Sequence, residues 1–371
     1  MNNLDPNQEI KTLFEKINSS KLPADLKERA FGQLARLEKM LTTGEYSRDF
    51  EPITEYLNWI LKIPWKNFVK DNLDLENVRA SLTKNHYGLE PVKNRILEYL
   101  AIMHLRQKNL ESQMSENKDK MVAQRSSSES APILCFVGIQ GVGKTSMAKS
   151  IAEALGRPFV RIALGGINSS TELRGISRGE VGAEPGQIIK ALVRTQVMNP
   201  LILFDEIDKV NSQTGLRADV MASLLEILDP QQNASFIDRY IDYPVDLSQT
   251  FFITTANNLG GISAALLDRL EIIRFGSYSD EEKIVIAKDY LLKKVIKNAG
   301  LREDQLRFAD DVWPLVVRPL GFDAGVRQLE RTLSELARKV ALQIVQGVTN
   351  GVVITKENFR DYIPQDFGVY S

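Results

Sequence analysis

One octet constrains this chain of 371 residues more than any other feature: Gly138-Ile139-Gln140-Gly141-Val142-Gly143-Lys144-Thr145. It fits the spacing G-x-x-x-x-G-K-[ST], follows an apolar run of strand length at Ile133–Val137, and opens a helical stretch at Lys144–Leu155. Average residue usage would yield the bare spacing in so long a chain roughly once in a hundred. The strand-loop-helix setting makes an accident rarer still. Glycines let a backbone wrap an anion so that its N–H groups converge, and the positive end of the following helix adds to them. In that frame Gly138, Gly141, Val142, Gly143 and Ser146 line a phosphate cradle. Lys144 reaches the β- and γ-phosphates, and the Thr145 hydroxyl ligates Mg²⁺. The competing reading is a glycine-rich turn with a solvated lysine, which predicts neither flank.

A second stretch completes the chemistry. Leu201-Ile202-Leu203-Phe204 carries Asp205 and Glu206 at its end. Four apolar residues bury a strand and place Asp205 at its carboxyl tip, where open α/β sheets bind ligands. Asp205 would hold Mg²⁺, mostly through water, and Glu206 would polarise an attacking water as a general base. Alone, the same residues read as a strand running out into acidic solvent-facing positions. Paired with the lysine loop, they point to binding and hydrolysis of a nucleoside triphosphate with Mg²⁺.

The rest of the chain supplies the matching fold. Apolar runs at Ile133–Val137, Phe159–Ala163, Leu201–Phe204, Phe251–Thr255 and Glu271–Phe275 alternate with helical patterns at Lys144–Leu155, Gly186–Gln196 and Asp219–Leu228. Such alternation predicts an α/β fold, a doubly wound parallel five-stranded sheet covered on both faces. Residues 1–80 read as an N-terminal helical segment, with Leu26, Ala30, Leu34, Leu37 and Leu41 forming one apolar stripe. A further helix fits Glu90–His104. Residues 106–130 are polar, with six serines and no aromatic, and predict a flexible insertion. The α/β region then spans 81–278. Beyond Ser279 no strand is expected; Asp280–Lys297 and Asp323–Val345 predict a helical lid over 279–362, with a short tail over 363–371.

Composition excludes several classes. With 47 basic and 48 acidic residues the net charge is −1, so no global field favours nucleic acid. No apolar run reaches the roughly 18 residues of a membrane span, and the N-terminus lacks a secretory signal. A single cysteine, Cys135, excludes an intramolecular disulfide, and two histidines leave little room for zinc chemistry. A cytoplasmic protein is expected.

Over residues 53–362 the chain resembles the ATPase part of the Lon family of AAA+ proteases. The resemblance is carried by Tyr56-Leu57-Asn58-Trp59 with Pro64-Trp65, by His86-Tyr87-Gly88-Leu89, and by the lysine loop with its preceding Pro132-Ile133-Leu134-Cys135. Phe159-Val160-Arg161-Ile162, Leu224-Leu225-Glu226-Ile227-Leu228-Asp229-Pro230, Leu266-Leu267-Asp268-Arg269 and the run Ala324–Arg331 extend it. It implies that His86, Tyr87 and Gly88 line an adenine pocket. It also implies that Asn257 positions the attacking water, with Asn258 as its neighbour. Arg269 is implied as a finger onto a neighbouring subunit's γ-phosphate, and Arg327 as a second sensor coupling nucleotide to lid. A finger acting in trans implies a ring, a hexamer.

Departures from the family pattern matter equally. The serine–lysine protease domain of full Lon proteins has no counterpart in these residues, and of their large N-terminal domain only the helical end, residues 1–80, is expected, so peptide cleavage by this chain alone is not expected. The segment Arg178-Gly179-Glu180-Val181-Gly182 carries Glu180 where the family's pore loop has an aromatic residue. A glutamate supplies a hydrated charge instead of flat apolar area; Val181 retains part of the grip. Ile139-Gln140 replaces two prolines, a change the three glycines tolerate. Three readings follow: an ATPase that remodels a protein partner or feeds a separate peptidase, a nucleotide-gated scaffold, or the ATPase part of a larger ATP-dependent protease.

Overall fold

Uninterrupted apolar runs bury a strand on both faces, and here they build the centre of a parallel sheet. The computed structural model describes residues 6–43, 50–116, 133–210, 214–318 and 325–363. In chain order its strands are β1 (Ile133–Val137), β2 (Phe159–Ala163), β3 (Leu201–Asp205), β4 (Phe236–Ile237), β5 (Pro244–Val245), β6 (Phe251–Ala256), β7 (Leu270–Arg274), β8 (Leu306–Phe308) and β9 (Val352–Ile354). Five of them form one sheet in the order β2-β3-β6-β1-β7. Phe159 of β2 lies beside Leu201 of β3, and Leu201 beside Phe251 of β6, both in parallel register. β1, β3 and β6 are buried at every residue, whereas edge strand β2 alternates and exposes Arg161 and Ala163. This is the expected doubly wound α/β architecture.

The chain divides into two compact units. The first comprises Met1–Leu73, Ala101–Cys135 and Ala152–Ile272; the second comprises Asp74–Leu100, Phe136–Ile151 and Ile273–Ser371. In the first, helices Pro6–Ser19, Ala24–Thr43 and Phe50–Lys62 precede the sheet. The stripe Leu26, Ala30, Leu34 and Leu37 is buried as its spacing predicts. A buried ion pair anchors the chain after these helices, with Arg157 Nε donating to Asp71 at 2.6 Å and Arg157 Nη1 donating to the Gln249 carbonyl at 2.8 Å.

The second unit holds helix Leu75–Asn85, capped by the Asp74 carboxylate, and helix Asp280–Ile286, which opens with a reciprocal Ser279–Glu282 capping box. The long helix Arg327–Val345 buries Leu329, Leu333, Leu336 and Val340 against Val295, Trp313 and Val316.

Three expectations need correction. Strands do not stop at Ser279: β8 and β9 pair in parallel, Leu306 with Val352. Three-residue strands are too short to show a period, although the β-branched triplet Val352-Val353-Ile354 favours one. The polar stretch 106–130 is not loop throughout, because helix Glu90–Glu116 runs into it. Its Arg, Gln, Lys and Glu residues are strong helix formers, and polarity by itself does not end a helix; 117–130 lie outside the described residues. The helix expected from Asp323 begins at Arg327, with 323 and 324 outside the described residues. The antiparallel pair β4–β5 was not anticipated. Among the described residues no helix is long and apolar enough to cross a membrane.

Candidate active site

The phosphate loop belongs to the second unit. Gly141 and Gly143 adopt φ of +83° and +94°, the left-handed region open to glycine at little cost. Crowding adds a second requirement: a Cβ on Gly138 would lie 2.6 Å from the Phe275 carbonyl oxygen, and one on Gly141 would lie 3.1 Å from Arg327 Cβ. Between Gly141 and Gly143, Val142 is fully buried. Ser146 Oγ donates to the Gly143 carbonyl at 2.9 Å, and Tyr278 Oη donates to the Val142 carbonyl at 3.0 Å. Lys144 opens the helix that ends at Leu155, with Thr145 half-buried beside it. The Lys144 ammonium curls back into the loop, donating to the carbonyls of Gly138 and, at 2.9 Å, Ile139. The cation thus rests on two carbonyls of the loop that precedes it.

His86 lies beside this loop, also in the second unit. It is only 7% exposed, and its Nε2 lies 3.1 Å from Ser150 Oγ, which also accepts from Asn85 Nδ2 at 3.1 Å. Burial depresses its pKa to about 4, with the Lys93 charge adding to the effect and a hydrogen bond to the Ser146 backbone opposing it. The imidazole is therefore neutral at pH 7. Tyr87 is exposed, and Gly88 turns left-handed at φ +61°. Arg327, first residue of its helix, approaches Gly141 closely with its Cβ and exposes its side chain. The structure thus gathers the loop, His86–Gly88 and Arg327 in one unit.

The acidic pair belongs to the first unit. Asp205 ends β3 and is buried; one carboxylate oxygen accepts from Arg161 Nε at 2.6 Å and the other from the Thr255 hydroxyl. The same hydroxyl accepts from the Glu206 N–H at 2.9 Å. Glu206 holds a left-handed backbone, φ +60° and ψ +50°, a conformation that costs a non-glycine residue about 1 kcal/mol or more. Its carboxylate pairs with Lys209 at 2.7 Å. Asn257 directly follows β6, the parallel neighbour of β3, so Asp205, Glu206 and Asn257 share the carboxyl edge of the sheet. Asn258 instead turns its backbone N–H and its side chain to Asp208, at 3.3 and 3.4 Å.

Arg269 stands apart from these three. It precedes β7, and its carbonyl accepts from the N–H of Ile133, the first residue of β1. That is the amino edge of the parallel sheet, about 16 Å from the carboxyl edge for five-residue strands. There the guanidinium donates to Asp229 at 3.0 Å and to the Ala265 carbonyl at 2.9 Å. Burial raises the Asp229 pKa, but the Gln231 N–H and Arg269 outweigh it and hold the carboxyl below its usual value.

Sequence reasoning missed Thr255, Arg161 and Lys209. Signals for the first two existed: a hydroxyl at the tip of an apolar strand and a charge within Phe159-Val160-Arg161-Ile162. For magnesium, the donor chemistry fits. Mg²⁺ at a polyphosphate takes one or two protein oxygens and keeps phosphate and water for the rest; Thr145 offers a hydroxyl in the second unit, and Asp205 offers a carboxylate in the first.

Two family models match the chain. The model of the ATPase family associated with various cellular activities (AAA) matches residues 134–278, and that of the Lon protease AAA+ ATPase lid domain matches residues 297–353. Lon protease 1 of Bacillus subtilis (strain 168) is 42% identical over 355 residues, which is 96% of this chain and 43% of that protein. Lon protease of Dictyoglomus thermophilum is 42% identical over 362 residues, and that of Nitrosococcus oceani 43% over 360; each match covers 97% of this chain. The chain spans 43% of the length of each of these relatives.

Proposed function

Taking as premise that the chain belongs to the Lon family, whose AAA+ ATPase and lid modules it carries, we propose that it binds ATP with Mg²⁺ and hydrolyses it to drive work on a protein partner. The observation that carries this reading is the loop itself: two left-handed glycines, a buried Val142 and a lysine resting on two loop carbonyls. In this reading Gly138, Gly141, Val142, Gly143 and Ser146 cradle the phosphates, and Lys144 neutralises them. Thr145 and Asp205 would hold Mg²⁺, which supplies charge neutralisation at the phosphates when bound. Glu206 takes the proton of the attacking water, and Asn257 orients that water. His86, Tyr87 and Gly88 receive the base, and a neutral His86 suits an uncharged adenine. Arg327 answers to the nucleotide from the lid.

Arg269 completes a neighbour's site. Its place on the amino edge of the sheet, opposite Asp205 and Asn257, supports action in trans and therefore a ring, a hexamer in this family. The partner is a polypeptide, and the 178–186 segment would meet it: Val181 is 101% exposed, next to an exposed Glu180. Purified protein should release phosphate from ATP, Lys144→Ala should lose nucleotide binding, and Glu206→Gln should bind ATP yet stall. Absence of phosphate release at every concentration that permits assembly overturns the reading.

Glu180 favours a second reading, a nucleotide-gated scaffold that assembles without pulling. Glu180→Tyr separates the two. A puller should process an unfolded protein faster with the ring restored, while a scaffold should be indifferent to it. No peptide-bond cleavage is assigned to these residues, and a fluorogenic peptide assay should stay flat.

A further inference from the structure

Two consecutive carbonyls of the phosphate loop are held by groups rooted in the helical region that follows the sheet. The Val326 N–H donates to the Gly141 carbonyl at 3.0 Å, and the Tyr278 hydroxyl donates to the Val142 carbonyl, also at 3.0 Å. Both residues pack against the core that contains Ile286, Leu291, Trp313 and Leu329. Contact continues along the backbone, since a Cβ on Gly325 would lie 2.6 Å from the Gln140 carbonyl oxygen.

Peptide geometry gives these bonds a consequence. A trans peptide is planar, with its N–H pointing opposite to its C=O. Holding the Gly141 carbonyl on one side fixes the Val142 N–H on the other, and holding the Val142 carbonyl fixes the Gly143 N–H in the same way. Those two N–H groups lie in the stretch that wraps an anion. A loop with glycines at both left-handed positions has many other conformations when unrestrained, and ordering it at the moment of binding would subtract from affinity.

We propose that Tyr278, through its hydroxyl, and Val326, through its N–H, are positioning groups that keep the phosphate loop in its anion-binding form. The inference rests on the reading that this loop binds a triphosphate. The Tyr278 hydroxyl bonds a loop carbonyl and takes no part in the chemistry. Burial pushes its pKa to about 12, so the hydroxyl remains a donor throughout the working range. Because linkage is reciprocal, a phosphate that tightens the loop must also steady the region that holds it.

Tyr278→Phe in the full chain removes the donor and keeps the ring. Calorimetric titration with ADP, MgATP and adenosine should show ADP and MgATP weakened roughly 3- to 10-fold, the range for one hydrogen bond. Adenosine, which has no phosphate, should bind as to wild type, and kcat at saturating ATP should change far less than KM. Hydrogen exchange supplies a second readout: ADP should slow exchange in Arg327–Val345 of wild type, and less so in the variant. Unchanged ADP affinity, an equal loss for adenosine, or no ADP effect on exchange in wild type overturns the proposal. Lys144→Ala separates the failures. If it loses ADP while Tyr278→Phe does not, only the positioning role falls; if it binds ADP like wild type, the phosphate-site reading falls and this proposal with it.

Discussion

The candidate groups of the two units are built from different atoms. In the second unit the working groups are backbone N–H and C=O, shaped by Gly138, Gly141 and Gly143. In the first they are carboxylates, aimed by the hydrogen bonds of Thr255, Arg161 and Lys209. A backbone site is defended by crowding at Gly138 and Gly141, where a Cβ would lie 2.6 and 3.1 Å from its nearest neighbour. At Gly143 a left-handed φ of +94° defends it. A side-chain site is defended by hydrogen-bond pairing. The first kind should fail abruptly on substitution and the second by degrees.

The sharpest way to break this contrast is Gly138→Ala. Its Cβ would meet the Phe275 carbonyl oxygen at 2.6 Å, so we expect a loss of about 3 kcal/mol and of nucleotide binding. Gly156→Ala is the control: at φ +74° with nothing within 4 Å, it should cost about 1 kcal/mol in a thermal melt. Equal losses at the two positions would show that crowding at Gly138, whose φ is not positive, costs no more than a left-handed backbone does at Gly156.

Acid titration probes the loop's surroundings next. With a folded pKa of about 4 against 6.5 unfolded, His86 takes up a proton more readily once unfolded. Its contribution is present above pH 6.5 and is lost as pH falls toward 4, on the order of 2–3 kcal/mol. His86→Gln should flatten that part of the curve. Asp238 of the first unit has the opposite sign: burial raises its pKa to about 6, against N–H donors from Gly186, Ile241 and Tyr240, so it adds stability as pH falls from about 6 to 4. A His86→Gln protein still losing stability across that window would assign the acid sensitivity elsewhere.

On the side-chain half, Thr255→Val keeps the shape of the residue and removes the hydroxyl shared by Asp205 and the Glu206 N–H. About 2 kcal/mol of stability should go, together with much of the phosphate-release rate. The smallest effect is expected from Arg161→Ala. Its side chain is 52% exposed, so screening by water should hold the stability loss within about 1 kcal/mol in a denaturant titration. A larger loss would mean that Asp205 depends on one partner and not on a set.

Much of this was legible in the residues themselves. β1, β2 and helix Lys144–Leu155 fall on the residues that periodicity assigned, because a buried strand and an amphipathic helix write their surroundings into local pattern. The lysine loop was legible for a similar reason, since one octet carries all its atoms. What escaped was short or non-local. β8 and β9 are three residues each, and the extension of helix Glu90–Glu116 is polar, so neither carries an apolar rhythm.

The sequence by itself determined that a phosphate loop exists and that a carboxylate ends a buried strand. Both follow from residues adjacent in the chain, whose backbone preferences and hydrophobic pattern act over a few ångströms. Only the tertiary structure decided who holds those groups in place: Thr255 for Asp205 across 50 residues, Tyr278 for Val142 across 136, and Asp229 for Arg269 across 40. A hydrogen bond requires its partners within about 3 Å, and for residues so far apart in sequence, sheet order and helix packing alone bring that about.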